Sequence, residues 1–248
     1  MLRLLASTAL AAALALPAHA LDLTQMSDAE REAFRTEIRD YLLDNPQVIM
    51  EAVALLEQRQ QEAQAQADVD LVKSNADALF ADDHSWVGGN PEGDVTVVEF
   101  LDYTCGYCRH AFPELTELVE GDGNIRLIIK EFPIRGEEAV LASRFAIATL
   151  QTEGEDAYKN VHDALITFEG DYSEAALTRL ATSLDLDADA IIAHMASDEV
   201  SDVIDANYAL GREMDISGTP TFVMGDQMVR GYVPLEAMQQ IVAAERQD

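Results

Sequence analysis

Cysteine is almost absent from this 248-residue chain: Cys105 and Cys108 are the only two, so no disulfide framework staples the fold. A bond between them would close a very small loop and add only about 2 kcal/mol in the chain-entropy picture, so their value is chemical. Basic residues are also scarce, at 16 Lys plus Arg against 46 Asp plus Glu, for a formal charge of −30. Such a chain repels phosphate backbones and anionic lipid surfaces, which excludes nucleic acid as a partner and peripheral attachment to membranes. Long apolar runs are missing too. The longest, Leu4–Leu16, falls short of the roughly 20 residues that span a bilayer. Aromatics are sparse at 6%, but 48% hydrophobic residues suffice for a sizeable core.

What is present begins with an address. Met1–Ala20 has one base, Arg3, no acid, a short apolar core, and then Pro17 and Ala18-His19-Ala20. A basic start, a short apolar core and a small-x-small end are the build of a secretory signal, so residues 1–20 are expected to be a signal peptide cleaved after Ala20.

The next stretch reads as helical. Phe34, Ile38, Tyr41 and Leu42 recur at helical spacing, with Ser27 or Asp28 available as N-cap, and Asn45-Pro46 breaks the run. A second helix carries Val48, Ala52, Leu55 and Leu56, then turns Gln/Ala/Glu-rich through Ala67. Two readings of this segment, residues 21–74, stand side by side: a solvated linker helix, or a stalk whose apolar stripe meets copies of itself. A domain over 75–248 follows. Gly88-Gly89-Asn90-Pro91 reads as a turn cluster, Val95–Leu101 as a buried strand, Ile125–Phe132 as a second strand, and about 137–214 as a helical insertion. Strand signals return at Thr221–Met224 and Gln227–Gly231 around a Gly225-Asp226 turn, and a last helix follows Pro234. The order strand, helix, strand, helical block, hairpin, helix is an α/β layout.

Cys105-Gly106-Tyr107-Cys108 follows the first strong strand and opens a helix. A helix N-terminus favours a thiolate, so Cys105 is expected to be the exposed, acidic sulfur and Cys108, a turn further in, the more buried one. A two-residue spacer lets the second sulfur attack a mixed disulfide made by the first. A metal site with His110 as third ligand is a rival, but a closed zinc site needs four ligands, and transient Cu(I) binding by the soft thiolates is a further alternative. Glu99 shares a strand face with Val97 and Leu101. It is either a carboxylate of raised pKa able to relay a proton or an ordinary acid on a partly wet face. Gly218-Thr219-Pro220-Thr221-Phe222 places a proline just before a strand, as at an edge.

Taken together, VVEFLDYTCGYCRHAFPEL, the later KEFPI, the helical insertion and SGTPTFVMGD resemble the DsbA-like branch of the thioredoxin superfamily, from about Phe80 to the C-terminus. YLLDNPQVIMEA resembles the extra N-terminal region of the suppressor-of-copper-sensitivity C subgroup. The resemblance implies a thioredoxin-like fold with a large helical insertion, preceded by an N-terminal helical oligomerisation segment. It implies Cys105 as the attacking and Cys108 as the resolving cysteine, supported by Gly106 and Tyr107. Pro220 would be the cis-proline facing them, with Thr219 before it and Glu99 as the buried acid. The implied activity is periplasmic protein thiol–disulfide exchange that needs no cofactor or metal beyond the redox-active pair. The implied partners are cysteine-containing clients, a membrane redox partner of DsbB or DsbD type, and further copies of the chain through residues 21–74. Strongly oxidising DsbA proteins carry Pro-His between the cysteines. Here Gly-Tyr stands there, and neutral Tyr107 lends a thiolate less support than a cation would. The expected direction is therefore isomerase or reductase, with a DsbA-type oxidase or a non-enzymatic copper-binding thiol protein as the alternatives.

Overall fold

The computed structural model describes residues 25–247, so the signal expected over Met1–Ala20 lies outside the described residues. The chain falls into two compact units that divide between Arg59 and Gln60. In the first, helix α1 (Asp28–Asp44) is started by Ser27 in a capping box with Glu30. Asn45 turns its N–H back to Tyr41 O at 2.9 Å, and helix α2 (Gln47–Ser74) begins beyond Pro46. Up to Arg59 neither helix buries a residue, and Phe34, Ile38, Tyr41, Leu55 and Leu56 all stand exposed.

The second unit takes in the end of α2, so the boundary expected at residue 74 moves back to 59. The physical reason is packing. Val72 is buried in the second unit's core, and Asp68 accepts two hydrogen bonds from the Arg230 guanidinium, at 2.5 and 2.9 Å. After the short helix α3 (Ala76–Phe80) come β1 (Trp86–Gly89), β2 (Val95–Leu101), α4 (Gly106–Asp122) and β3 (Ile125–Glu131). The helical insertion is five helices: α5 (Glu137–Glu153), α6 (Glu155–Ile166), α7 (Glu174–Ser183), α8 (Ala188–His194) and α9 (Asp198–Glu213). The hairpin β4 (Thr221–Met224) and β5 (Gln227–Arg230) then leads to α10 (Leu235–Glu245). Positive φ falls on Gly225, the first turn residue of that hairpin, at 62°.

The five strands form one mixed sheet in the order β1-β3-β2-β4-β5. β2 and β3 are parallel, with Val97 opposite Leu127, Glu99 opposite Ile129 and Leu101 opposite Glu131. β4 runs antiparallel to β2 and sets Phe222 opposite Glu99. Both faces are covered. Val97, Leu101, Ile129 and Phe222 belong to the core shared with α4 and the insertion, while Val98, Phe100, Ile128 and Val223 pack with Val72, Leu79 and Met214. That double burial is why β2 reads as a continuous apolar run rather than an alternation.

Two expectations fail. Pro220 precedes β4, an inner strand paired with both β2 and β5, and not an edge. Gly88 and Gly89, expected in a turn cluster, end strand β1 and pair antiparallel with Leu127 and Arg126 of β3. A Cβ on Gly88 would lie 2.0 Å from the Trp86 ring, so glycine is present for a close approach within a strand.

A buried ion pair sits on the face away from α4. Lys130 is fully buried; its Nζ donates to Ala78 O at 2.8 Å and to Asp82 Oδ2. Burial would raise the Asp82 carboxyl, but the hydrogen bond and charge of Lys130 more than offset it and hold the carboxyl below its ordinary range. Removing one partner strands the other charge in the core. Asp82→Ala should therefore lower the unfolding free energy by about 3–5 kcal/mol in urea titrations at pH 7, and the Asp82→Leu/Lys130→Met double variant by much less. Equal midpoints for Asp82→Ala and the parent chain would contradict this.

Candidate active site

The β2–α4 connection is built by Asp102. This buried side chain accepts the Thr104 N–H at 2.8 Å and the Thr104 hydroxyl at 2.6 Å, and its other oxygen accepts the Arg135 N–H at 3.0 Å. Its backbone carbonyl accepts the Cys105 N–H at 2.9 Å. These bonds deliver Cys105 to the N-cap of α4 in extended conformation, φ −79° and ψ 117°. Arg109, one turn later, donates to the carbonyls of Ile166 and Phe168 and so fastens α4 to the end of α6.

The two sulfurs, both free thiols, differ sharply. Cys105 is pulled down to about 5 from an ordinary value of 9.0. The hydrogen bond from the Cys108 thiol is the largest cause; burial opposes it, and the Thr219 side chain and the backbone N–H groups of Cys108 and Tyr107 add to it. Cys108, fully buried, is pushed far up by the hydrogen bond it gives to Cys105, by burial and by the nearby acid Glu99. One proton is thus held on Cys108 while Cys105 carries the charge.

Cys105 is less open than its helix-start position implies: the residue is only 3% exposed. The Thr219–Pro220 bond is cis, and the Thr219 carbonyl lies 3.1 Å from Cys105 Sγ, where it accepts the thiol proton. That contact belongs to the thiol form, because a thiolate has no proton to donate. What stays accessible of Cys105 opens on a surface pocket of about 570 Å³, lined also by Gly106, Tyr107, His110 and Arg135. Tyr107 is 66% exposed there, and its support of the thiolate comes from its backbone N–H. His110 packs edge-on against the Tyr232 ring, centroids 4.6 Å apart, and Glu114 holds Tyr232 by its hydroxyl.

Glu99 is buried, on the face it shares with Val97 and Leu101, which removes the partly wet reading. Burial, then the Glu131 carboxylate, then the Cys105 charge raise it to about 8. The site therefore brings together Glu99, Cys105, Gly106, Tyr107, Cys108, Thr219 and Pro220. Asp102, Tyr103, Arg135 and Glu131 join them, although the sequence pattern did not single them out. Glu131 carried the same signal as Glu99, a carboxylate among apolar strand neighbours on the Leu127 and Ile129 face.

Lowering a thiol from 9.0 to about 5 fixes a pH window. The group is depressed in the folded protein, so its stabilisation is complete above about 9 and disappears as pH falls through about 5. At pH 7 it amounts to about 2 to 3 kcal/mol in favour of the reduced fold. Iodoacetamide labelling of Cys105 should accordingly show half-maximal rate near pH 5. A half-point above pH 8 would mean that the donors around Sγ do not act on it.

Comparison with known proteins agrees with this geometry. The DSBA-like thioredoxin domain family matches residues 96–243, and the copper resistance protein ScsC N-terminal domain matches residues 30–63. A thioredoxin-like oxidoreductase from Silicibacter pomeroyi DSS-3 is 40% identical, with a TM-score of 0.66 over 70% of this chain and 99% of that one. Proteus mirabilis ScsC in a transitional conformation is 26% identical, with a TM-score of 0.65 over 90% of this chain and 97% of that one. A curated relative, the Na(+)/H(+) antiporter NhaA 1 of Salinispora arenicola, is 32% identical over 164 residues, 65% of this chain. The chain spans only 25% of that antiporter's length. With the family match running through both cysteines, the cis-proline and the insertion, the chain belongs to the DSBA-like thioredoxin domain family.

Proposed function

We propose that this protein is an exported thiol–disulfide oxidoreductase acting in the periplasm on cysteine-containing client proteins, working mainly as an isomerase or reductase. The observation that carries the reading is the split between the sulfurs: one thiolate at the N-terminus of α4 facing an open pocket, and one buried thiol beside a buried acid. The Cys105 thiolate attacks a client disulfide. A Cys105–client bond forms, the client's own S–S bond breaks, and one client sulfur leaves as a thiolate. Cys108 then gives its proton to the Glu99 carboxylate and attacks Cys105 Sγ. The Cys105–Cys108 bond forms, the second client thiolate leaves, and two electrons have passed from the dithiol to the client. A membrane redox partner of DsbD type would return them. Burial and the Glu131 charge hold Glu99 above its ordinary range even when Cys105 is bound to the client, so Glu99 tends to keep its proton, which slows the second attack. The client stays attached long enough for its own thiols to rearrange, which favours isomerisation over net reduction.

The exposed apolar residues of α1 and of α2 up to Arg59 support self-association. Leaving them wet is unfavourable, at about 25 cal/mol per Å² of apolar area, and cyclic symmetry is the default for such contacts. An oligomer puts several dithiols on one particle and favours repeated attack on one client. A second reading rests on the same Cys105 thiolate. Its stabilisation makes the disulfide easier to reduce, as in a DsbA-type oxidase fed by a DsbB-type partner.

Three experiments test this. Cys105→Ser should abolish insulin reduction, and Cys108→Ser should accumulate mixed disulfides with clients. Stoichiometric Cu(I) retention with no insulin reduction by the parent chain would replace exchange with copper binding. The mature chain trimmed of residues 21–59 should scatter light as a monomer, keep insulin reduction and lose most of its repair of scrambled ribonuclease. A mature full-length chain that is already monomeric at micromolar concentration would favour the oxidase reading.

A further inference from the structure

Glu131 ends β3 on the same closed sheet face as Glu99, because Glu99 registers with Ile129 and Leu101 with Glu131. Its buried carboxylate receives three hydroxyls from three parts of the chain. Tyr103, two residues before Cys105, reaches Oε1 at 2.8 Å; Tyr158 of α6 reaches Oε1 at 2.7 Å; Ser143 of α5 reaches Oε2 at 2.7 Å. Tyr103 Oη also lies 3.1 Å from His162 Nδ1. Burial pushes His162 down to about 3, so its ring is neutral near neutral pH. With the Nδ1–H tautomer, His162 donates to Tyr103 Oη and Tyr103 donates its one proton to Glu131. All three hydroxyls then have Glu131 as acceptor, a demand that an ionised carboxylate meets in full. Glu99 has no comparable set of donors among the described residues.

Two buried carboxylates on one face repel, and the pair tends to keep a proton. The donors decide where it sits. We propose that Glu131 is a positioning residue for thiol–disulfide exchange: clamped by Tyr103, Tyr158 and Ser143, it takes the negative charge and leaves the proton on Glu99, and so sets how long a client remains joined to Cys105. The proposal rests on the exchange reading above, with Glu99 as the acceptor of the Cys108 proton. The other titratable groups facing the pair are Asp102 and Tyr103 ahead of α4, Cys105 and Cys108 of α4, and Tyr158 and His162 of α6. Both phenols stay protonated, pushed up by burial and by the Glu131 charge. Burial raises both carboxyls, that of Glu131 against the pull of its three hydroxyls and that of Glu99 with no such pull.

The test is the pH profile of resolution: the rate at which Cys108 displaces a peptide thiol from a preformed Cys105–peptide disulfide in the mature full-length chain, from pH 5 to 9.5. Cys105 carries no charge in the mixed disulfide, so the parent profile should rise with an inflection at or below about 8, set by burial and the Glu131 charge, and Glu99→Gln should remove that inflection. Glu131→Gln takes away the like charge, so Glu99 ionises sooner and the inflection should move down by about one pH unit. Tyr158→Phe removes one donor and keeps the ring that stacks on Trp86 at 5.5 Å. It should move the inflection the same way by less, and it decides the matter alone if Glu131→Gln does not fold. An inflection that stays at the parent pH in the folded variants overturns the role of Glu131 and leaves exchange intact. Glu99→Gln retaining the parent inflection overturns the relay and the proposal together. A parent chain that never resolves the disulfide overturns the exchange reading itself.

Discussion

The closed face of the sheet beneath α4 and the insertion can hold very little negative charge, and that constraint orders everything near the cysteines. Apart from Asp102, whose donors build the β2–α4 turn, four acidic groups share it: Glu99, Glu131, Cys105 and Cys108. Buried anions are tolerated only where donors meet them. For these four the fold supplies donors at two points. The N-terminus of α4 and the Cys108 thiol serve Cys105, and three hydroxyls serve Glu131. Cys108 and Glu99 are left as the proton holders. The chemical asymmetry that disulfide exchange needs is thus a question of which buried anion finds partners.

The helical insertion takes part in this arrangement. Tyr158, Ser143 and His162 all come from it, and Tyr172 places its hydroxyl within 3.1 Å of the Tyr103 carbonyl. Arg109 reaches back from α4 to the carbonyls at the end of α6. The loop that carries the cysteines is therefore held from the insertion side as well as from the sheet. Opposite it, the Thr219 carbonyl lies against Cys105 Sγ, and Cys105 borders the pocket lined by Gly106, Tyr107, His110 and Arg135.

Much of this was legible in the residues, for definable reasons. β2, β3 and the hairpin carry local patterns that depend on a few neighbours, and CGYC at a strand-to-helix junction states its chemistry within four residues. β1 was not legible, because Gly88 and Gly89 look like a turn until the Trp86 ring is seen lying where their side chains would go. The Thr219–Pro220 segment against Cys105, 114 positions away, was legible only through the family resemblance, since local sequence says nothing of a contact at that distance. Glu131 was half legible. Its place among Ile and Leu marked it as a buried acid, but its three donors meet only in three dimensions. The apolar positions of α1 and early α2 lie on helices as their spacing implies, and Phe34, Ile38, Tyr41, Leu55 and Leu56 stand exposed there.

The central claim is that donors around Cys105 stabilise its thiolate, and the equilibrium potential of the Cys105–Cys108 pair tests it most directly. Thioredoxin, whose attacking cysteine titrates near 7, sits at about −270 mV. Lowering the thiol by about two further units, to about 5, is worth about 2.3 kcal/mol at pH 7, where a thiol of 7 is already half ionised, or about 50 mV. Redox titration against glutathione at pH 7 should therefore give about −220 mV. A value at or below −270 mV would contradict the account.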